Sequence, residues 1–235
     1  MFRFKQFAIQ QDKCAMKVCT DSCLFGAWVA NEMENEKSIH RILDIGTGTG
    51  LLALMLAQKS RASLMAIDID GNAALQAQEN FKASIWSNRL TAQHLSLQNY
   101  HPQQPFDLII CNPPFFENDL LSPDVNKNTA KHQGVLKLEE LFMFIAQALS
   151  REGIAAILMP DNLSQKTREI AGLHQLFCFK EMKVRQSPQH AFFRTMLLLS
   201  HKKNERLISE MCIKDAEGHY TPEFISLLKD YYLHL

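Results

Sequence analysis

A strand, a glycine-rich turn and a helix follow one another at residues 42–57, and this order constrains the fold more than any other feature of the chain. The apolar strand ends in Gly46-Thr47-Gly48-Thr49-Gly50, and an apolar helix begins at Leu51. Glycines allow a sharp turn and let a ligand approach the backbone closely. A dinucleotide-binding fingerprint would need its third glycine at position 51, where this chain has leucine. The turn therefore predicts a ligand site at a strand end, with G-x-G-x-G spacing.

Strands and helices alternate through most of the chain. Short apolar runs predict strands at 41–45, 64–68, 90–94, 106–111, 153–159, 176–185 and 194–201, and amphipathic stretches predict helices at 50–59, 71–84, 137–149 and 163–175. The connection at 186–190 is too short for a crossover helix, so the last two strands should pair antiparallel. The sequence thus predicts an α/β fold: a mostly parallel sheet with helices on both faces and an antiparallel strand at one end.

The chain divides into three segments around one core domain. Residues 1–40 precede the first core strand and contain a predicted helix from Asp21 to Met33. We expect this segment to cover the ligand site. Residues 41–204 form the α/β domain itself. Residues 205–235 read as a strand and a helix, and we expect this appendage to pack on the same domain.

The tetrapeptide Asn112-Pro113-Pro114-Phe115 stands at the end of a buried strand. Ligands bind at strand carboxyl ends in open α/β sheets. The Asn112 amide oxygen and the Pro113 carbonyl can each accept a hydrogen bond from a planar exocyclic amine, and Phe115 can stack on the ring that carries it. The pattern is suited to alkylation of such an amine. A plain strand-terminating turn is the alternative, because Asn-Pro often serves that purpose.

Acidic residues stand at the ends of two other strands. Asp44 lies two residues before the first glycine, and Asp68 ends the strand 64–68. A carboxylate at the position of Asp68 accepts hydrogen bonds from ribose hydroxyls in related sheets. Asp70 is the lesser candidate. The alternative for Asp68 is a helix N-cap.

Composition excludes several classes of protein. The 235 residues carry no net charge, but residues 176–206 hold seven cationic side chains against two anionic ones, and residues 1–20 hold four against one. These segments, with lysines in the loop after Phe115, could converge on a site that neutralises phosphates. No apolar run is long enough to span a membrane, and the six cysteines show no zinc spacing. We expect a cytoplasmic protein with reduced thiols, no metal and no membrane partner.

The glycine turn with Asp44 resembles motif I of the class I S-adenosylmethionine-dependent methyltransferases. The N-terminal half is similar to one bacterial family, the tRNA(Val) adenine-37 N6-methyltransferases. The similarity is carried by Phe4-Lys5-Gln6-Phe7, Cys14-Ala15-Met16-Lys17-Val18, Thr20-Asp21, Gly26-Ala27-Trp28, Ala77-Gln78-Glu79-Asn80 and Asn112-Pro113-Pro114-Phe115. The resemblance covers nearly the whole chain. It implies a Rossmann-like fold, S-adenosylmethionine as cofactor, and methylation of the adenine N6 amine in a valine tRNA.

The resemblance also implies roles for individual residues. The cofactor-binding set would be Lys17, Thr20, Asp21, Asp44, Gly46, Gly48, Gly50, Asp68, Ser96 and Asn112. Lys17, Thr20 and Asp21 would lie over the methionine end, although Thr20 and Asp21 could equally only cap their own helix. Asp44 would hold the cofactor ammonium directly or through water, and Ser96 stands where relatives carry an acid for the cofactor adenine. The catalytic set would be Asn112, Pro113 and Phe115, with phenylalanine where the family more often has tyrosine.

Three other functions remain open at this stage. The same tetrapeptide pattern serves guanine N2 methylation of ribosomal RNA and, with tyrosine, glutamine N5 methylation of proteins. Glutamine methyltransferases usually have a substantial N-terminal helical domain, and only about forty residues precede the first core strand here. The third alternative is not an enzyme but an RNA-binding relative without catalysis. It is suggested by Ser96, which stands where relatives carry an acid. The oligomeric state is not predicted.

Overall fold

The computed structural model describes residues 1–34, 38–113 and 137–235. A small antiparallel pair at the N-terminus, β1 (Phe2–Arg3) with β2 (Ala8–Ile9), precedes an eight-stranded sheet. Its strands are β3 (Arg41–Ile45), β4 (Ser63–Asp68), β5 (Leu90–His94), β6 (Phe106–Cys111), β7 (Leu149–Pro160), β8 (Phe177–Arg185), β9 (Phe192–Ser200) and β10 (Leu207–Cys212). The spatial order is β10-β8-β9-β7-β6-β3-β4-β5.

Every neighbouring pair in this sheet is parallel except the two that involve β9. This confirms the predicted α/β fold and the antiparallel pairing across the short connection after Arg185. The antiparallel strand is not outermost, because β8 returns along its far side and β10 pairs with β8. Seven of the eight strands thus end at one edge, called here the carboxyl edge.

Helices cover both faces of the sheet. They are α1 (Thr20–Met33), α2 (Leu51–Lys59), α3 (Gly71–Lys82), α4 (Leu138–Ala148), α5 (Ser164–Leu173) and α6 (Pro222–Leu228). Alternating strand residues point to opposite faces. In β6, Leu108 and Ile110 therefore join the core beneath α1, α2 and α3, whereas Ile109 and Cys111 join the core beneath α4 and α5. No helix in the three described ranges is long and apolar enough to cross a membrane.

Some boundaries differ from the sequence-based prediction. Helix α1 begins at Thr20, one residue before the predicted start, and ends at Met33 as predicted. Strand β7 begins at Leu149, directly where α4 ends, instead of at residue 153. Its first residues pair with Phe106 across a register shift, and this tertiary contact overrides their weak local preference for a strand.

The two chain ends pack against the same helical face. The backbone of Lys5 donates to the carbonyl of Tyr231 over 2.8 Å, and the Tyr231 hydroxyl donates to the Met55 carbonyl over 3.1 Å. Helix α6 begins at Pro222 behind Thr221, whose hydroxyl accepts from the Phe224 amide. The terminal segments therefore buttress α1 and α2 beside the glycine turn.

Candidate active site at the carboxyl edge

The glycine turn lies at the carboxyl edge, between β3 and α2. The amides of Gly46 and Thr47 donate to the Ile67 carbonyl at 2.9 and 3.1 Å, which ties the turn to β4. Gly46, Gly48 and Gly50 all have positive φ. A Cβ atom on Gly48 would meet nothing within 4 Å, so the turn exposes bare backbone on its outer side. The turn is therefore shaped to accept a ligand against its main chain.

Gly50 has the opposite environment. A Cβ atom there would lie 2.5 Å from Cε1 of Phe81 in α3, which no real side chain could tolerate. Its φ of 81° also starts α2 from a left-handed conformation. The third glycine is thus required for close packing of the turn on α3, whereas Gly48 keeps the ligand side open.

Asp44 lies beneath the turn and is completely buried. Its Oδ2 accepts the Thr47 hydroxyl at 2.6 Å, but its Oδ1 has no hydrogen-bond partner among the described residues. The pKa of this carboxyl is raised to about 7, chiefly by burial; the Thr47 hydrogen bond acts to lower the pKa and the nearby Asp68 acts to raise it. Asp44 is therefore a buried acid with one open acceptor and no cation beside it in the described residues.

Asp68 at the end of β4 bridges two elements. Its Oδ2 accepts the Gly48 amide at 2.8 Å, and its Oδ1 accepts the Asp70 amide at 2.9 Å. The pKa of Asp68 is raised by desolvation, against which both backbone hydrogen bonds act. The alternative that Asp68 caps α3 is wrong, because Asp70 is the N-cap and accepts from the Asn72 amide. Asp68 instead holds the glycine turn in place.

Asn112 follows the last residue of β6 and contacts the start of α1. Its Nδ2 donates to the hydroxyl of Ser22 over 3.0 Å. Its Oδ1 is buried and has no partner among the described residues. The amide thus uses its donor within the protein, and its acceptor is left without a partner among the described residues. Pro113 is buried, and Pro114 and Phe115 lie outside the described residues.

The first turn of α1 connects Asn112 to the distal strands. Asp21 accepts the Ser22 amide through Oδ1 and forms an ion pair through Oδ2 with Arg194 of β9, at 2.8 Å. Thr20 is exposed and does not cap α1, whose N-cap is Cys19 without a side-chain cap. The Lys17 ammonium donates to the carbonyls of Gln11 and Cys14, so it closes a loop in the N-terminal segment.

Two buried amides attach that N-terminal segment to the core. Asn80 of α3 exchanges hydrogen bonds with the backbone of Gln10 and donates to the Thr49 carbonyl in the glycine turn. Gln76, one helical turn earlier, accepts the Lys13 amide at 3.2 Å. Residues 10–13 are thereby held beside the turn. Sequence reasoning missed this role of Asn80 and the role of Ser22, because both depend on contacts between distant parts of the chain.

Ser96 follows β5 at the same edge and is half-buried. Its hydroxyl makes no hydrogen bond to any described residue, whereas the nearby Gln98 side chain donates to Glu140. Ile69, directly after Asp68, is 56% exposed. Of the lysines after Phe115, Lys127 and Lys131 lie outside the described residues, and Lys137 is exposed at the N-cap of α4.

Comparison with known proteins decides the family. Residues 26–167 match the model of the methyltransferase small domain. A tRNA1(Val) (adenine(37)-N6)-methyltransferase of Trichodesmium erythraeum is 41% identical over 99% of this chain and 97% of its own length. The enzyme of that name from Christiangramia forsetii is 38% identical, over 100% of this chain and 98% of its own. This chain belongs to the tRNA1(Val) (adenine(37)-N6)-methyltransferase family. The predicted resemblance is confirmed.

Solved structures support the fold of this methyltransferase family member. A predicted O-methyltransferase from Agrobacterium tumefaciens aligns with a TM-score of 0.69 and 14% identity, covering 89% of this chain and 96% of that one. Magnesium protoporphyrin IX methyltransferase from Synechocystis, solved with bound S-adenosylmethionine, aligns with a TM-score of 0.55 and 15% identity over 77% and 80% of the two chains. These similarities confirm the Rossmann-like class I fold.

Proposed function

We propose that this chain methylates the exocyclic N6 amine of adenine 37 in a valine tRNA, with S-adenosylmethionine as the methyl donor. The family membership supports the activity, because its relatives carry that name over their full length. The observation that carries the mechanism is the buried, unpartnered Oδ1 of Asn112 at the same sheet edge as the glycine turn. We place the enzyme in the cytoplasm, where its substrate is made.

The residues around the glycine turn fit the cofactor. The open backbone at Gly48 suits the methionine part, and the free Oδ1 of Asp44 suits the ammonium. Each Asp68 oxygen accepts one hydrogen bond from the residues that the structure describes, so both retain a lone pair for ribose hydroxyls. Ile69 offers an apolar surface to the adenine, and Ser96 a free hydroxyl. When bound, S-adenosylmethionine supplies an electrophilic methyl group on its sulfonium.

The target amine is activated by position. Adenine N6 is a poor nucleophile because its lone pair is conjugated with the ring. Asn112 Oδ1 accepts one N–H and the Pro113 carbonyl accepts the other, which favours a pyramidal nitrogen whose lone pair faces the methyl donor. These hydrogen bonds strengthen as the nitrogen gains positive charge, so they stabilise the transition state more than the bound substrate. The methylated amine is acidic and loses its proton to water, so no strong base is required.

Ser22 sets which end of the Asn112 amide faces the substrate. An amide can rotate to present either its donor or its acceptor. Because Nδ2 donates to the Ser22 hydroxyl over 3.0 Å, Oδ1 is the amide atom left without a partner among the described residues. Ser22 is itself buried and its amide is held by Asp21, whose other oxygen is paired with Arg194. We infer that Ser22 is a positioning residue.

The experiment that tests this function is incubation of the protein with labelled S-adenosylmethionine and bulk tRNA that lacks the modification. Nucleoside mass spectrometry then identifies the product. The proposal predicts N6-methyladenosine in the valine tRNA fraction alone. Detection of N2-methylguanosine, or of label in protein, would contradict the proposal and show that the enzyme methylates another planar amine. Calorimetric titration without detectable cofactor binding would identify a relative that has lost catalysis.

A further inference from the structure

We propose that a row of aromatic and cationic side chains along the carboxyl edge is the surface on which the tRNA docks beside its target nucleotide. The row, called here the aromatic–cation rim, consists of Lys183, Arg185, Phe192, Lys214 and Tyr220. This inference rests on the proposed function, since it deepens the account of how that substrate is held.

The rim is built from cation–aromatic contacts. The ring of Phe192 lies 5.1 Å from the Arg185 guanidinium carbon and 5.7 Å from the Lys183 ammonium. The ring of Tyr220, which is 40% exposed, lies 5.6 Å from the Lys214 ammonium. The Tyr220 ring also stacks on Phe224, with centroids 4.7 Å apart. Each unit therefore offers a ring edge for a base and a positive charge for the adjacent phosphate. Single-stranded nucleic acid is bound by this combination in other proteins.

Topology places the rim at the same edge of the sheet as Asn112. Strands β6, β7, β9, β8 and β10 are successive neighbours. With strand spacing of about 4.8 Å, the β9, β8 and β10 ends lie about 10, 14 and 19 Å from the end of β6. Lys214 continues the pairing past β10, because its amide donates to the Gln186 carbonyl. A nucleic-acid strand that leaves the target site along this edge would meet the rim units in succession.

Charge favours RNA over an uncharged partner. Three cationic side chains, Lys183, Arg185 and Lys214, lie in the rim. Among the described residues, the carboxylates paired with Lys183 and Arg185 lie at the longer distances of 3.8 Å (Asp161) and 3.5 Å (Glu210). Lys214 forms no ion pair with any described residue. These weak pairings exchange readily for phosphates.

A target adenine must leave its stack to reach Asn112, and this extrusion costs free energy. Neighbouring nucleotides held on a platform offset that cost. The rim therefore accounts for selection of an exposed anticodon loop, whose bases are free to stack.

The test separates charge from stacking. Arg185→Gln with Lys214→Gln removes two cations, and Phe192→Leu removes one ring. Lys203→Gln is the matched control, because Lys203 lies 5.9 Å from the Phe177 ring at the opposite edge of the same sheet. Filter binding of unmodified tRNA is measured against salt concentration, together with KM for tRNA, kcat and cofactor affinity.

The double variant should bind tRNA at least tenfold more weakly at low salt, and its log–log salt slope should fall by about 1.4 to 1.8, as expected for two phosphate contacts. Phe192→Leu should weaken binding roughly fivefold or more with the slope unchanged. Cofactor affinity should stay the same in every variant. Binding within twofold of wild type in both rim variants, or an equal loss of binding in Lys203→Gln, would overturn the proposal that the rim is the tRNA docking surface. An acidic peptide that competes equally well with tRNA would also overturn it.

Failure of the proposed function is distinguishable from failure of the rim. Filter binding needs no turnover, so it tests the rim in any case. Wild-type protein that binds tRNA through the rim but does not methylate it would contradict the catalytic proposal alone.

Discussion

Two buried oxygens that have no hydrogen-bond partner in the described part of the chain mark the site at the scale of single residues. Asp44 Oδ1 lies beneath the glycine turn and Asn112 Oδ1 at the end of β6. A buried acceptor without a hydrogen bond costs about 1–3 kcal/mol. Both oxygens are suited to positive or proton-bearing groups, so bound cofactor and substrate would recover that cost.

The Ser22 hydrogen bond is tested by Ser22→Ala. Without it the Asn112 amide can rotate and present its donor to the target amine, so kcat should fall at least tenfold. KM for tRNA and cofactor affinity should change by less than threefold. Steady-state kinetics measure both. Ser164→Ala is the matched control, because Ser164 is equally buried on the far face of the sheet. Ser22→Thr keeps a hydroxyl and should restore part of kcat; no recovery would argue for simple loss of packing.

The raised pKa of Asp44 predicts pH-dependent cofactor affinity. Below about pH 7 the folded carboxyl holds a proton, which a cationic ligand must displace. Affinity should therefore fall by up to about tenfold per pH unit from pH 7 to 5.5. Calorimetry across this range measures it, and Asp44→Asn should flatten the profile. If the cofactor affinity of the wild-type protein did not change with pH in this range, a cationic partner for Asp44 would be contradicted.

Asp44 also affects stability of the unliganded protein, with a definite sign. Its folded pKa of about 7 exceeds the ordinary value of 3.8, so the folded state binds the proton more tightly. The contribution of Asp44 to folding is therefore most favourable below pH 4 and is lost as pH rises to 7. The cofactor would reverse this loss.

At the scale of elements, the glycine turn has the strictest requirement for backbone conformation and free space. Gly48 has φ of +54° and open space above it. Gly48→Ala should lower the free energy of unfolding by about 1–2 kcal/mol through left-handed strain, and it should weaken cofactor binding because the new methyl group enters the ligand space. Urea unfolding and calorimetry measure the two effects.

Gly172→Ala is the matched control for that prediction. Gly172 lies in α5 with ordinary φ and nothing within 4 Å of an added Cβ, so the substitution should stabilise the protein by about 0.5–1 kcal/mol. Equal stability and equal cofactor affinity in both variants would show that the turn has no special role.

Local sequence signals predicted the elements well wherever they act over a few residues. The glycine turn and the strand ends at Asp68 and Cys111 all depend on adjacent residues. The early start of β7 was not predictable, because its pairing with Phe106 is a tertiary contact.

Part of the candidate site was likewise predictable from local sequence, and part of it was not. Strand ends and glycine spacing indicated which residues would gather at the carboxyl edge. The contact of Ser22 with Asn112 joins residues 90 positions apart, and the contacts of Asn80 join α3 to both the N-terminal segment and the turn. Such long-range hydrogen bonds have no local signature, so sequence reasoning could not find them.

At the scale of the whole molecule, both chain ends are fastened beside the site. Tyr231 is 1% exposed and bonds the Met55 carbonyl in α2, and Lys59 of that helix pairs with Asp230 over 2.5 Å. Lys5 joins the N-terminal segment to Tyr231. The segment beside the glycine turn is therefore held from its far end as well as by α3.

Tyr231→Ala should remove about 3–5 kcal/mol from the free energy of unfolding, because it leaves a large cavity. Tyr231→Phe should cost only about 1 kcal/mol, the value of one hydrogen bond. Denaturant titration measures both. The backbone carbonyl of residue 231 accepts from the Lys5 amide, and loss of the buried ring should loosen that backbone, so the alanine variant should also expose residues 1–19 to faster amide exchange. Unchanged exchange in a destabilised variant would show that the segment is held by α3 alone.

The central claim is that Asn112 aligns the target amine without holding the cofactor tightly. Single-turnover methylation of unmodified valine tRNA by Asn112→Ala, measured beside its calorimetric cofactor affinity, tests it most directly. We expect the methylation rate to fall roughly a hundredfold or more, with cofactor affinity within about threefold of wild type. A rate within a few-fold of wild type, or a rate loss matched by equal loss of cofactor binding, would contradict the account.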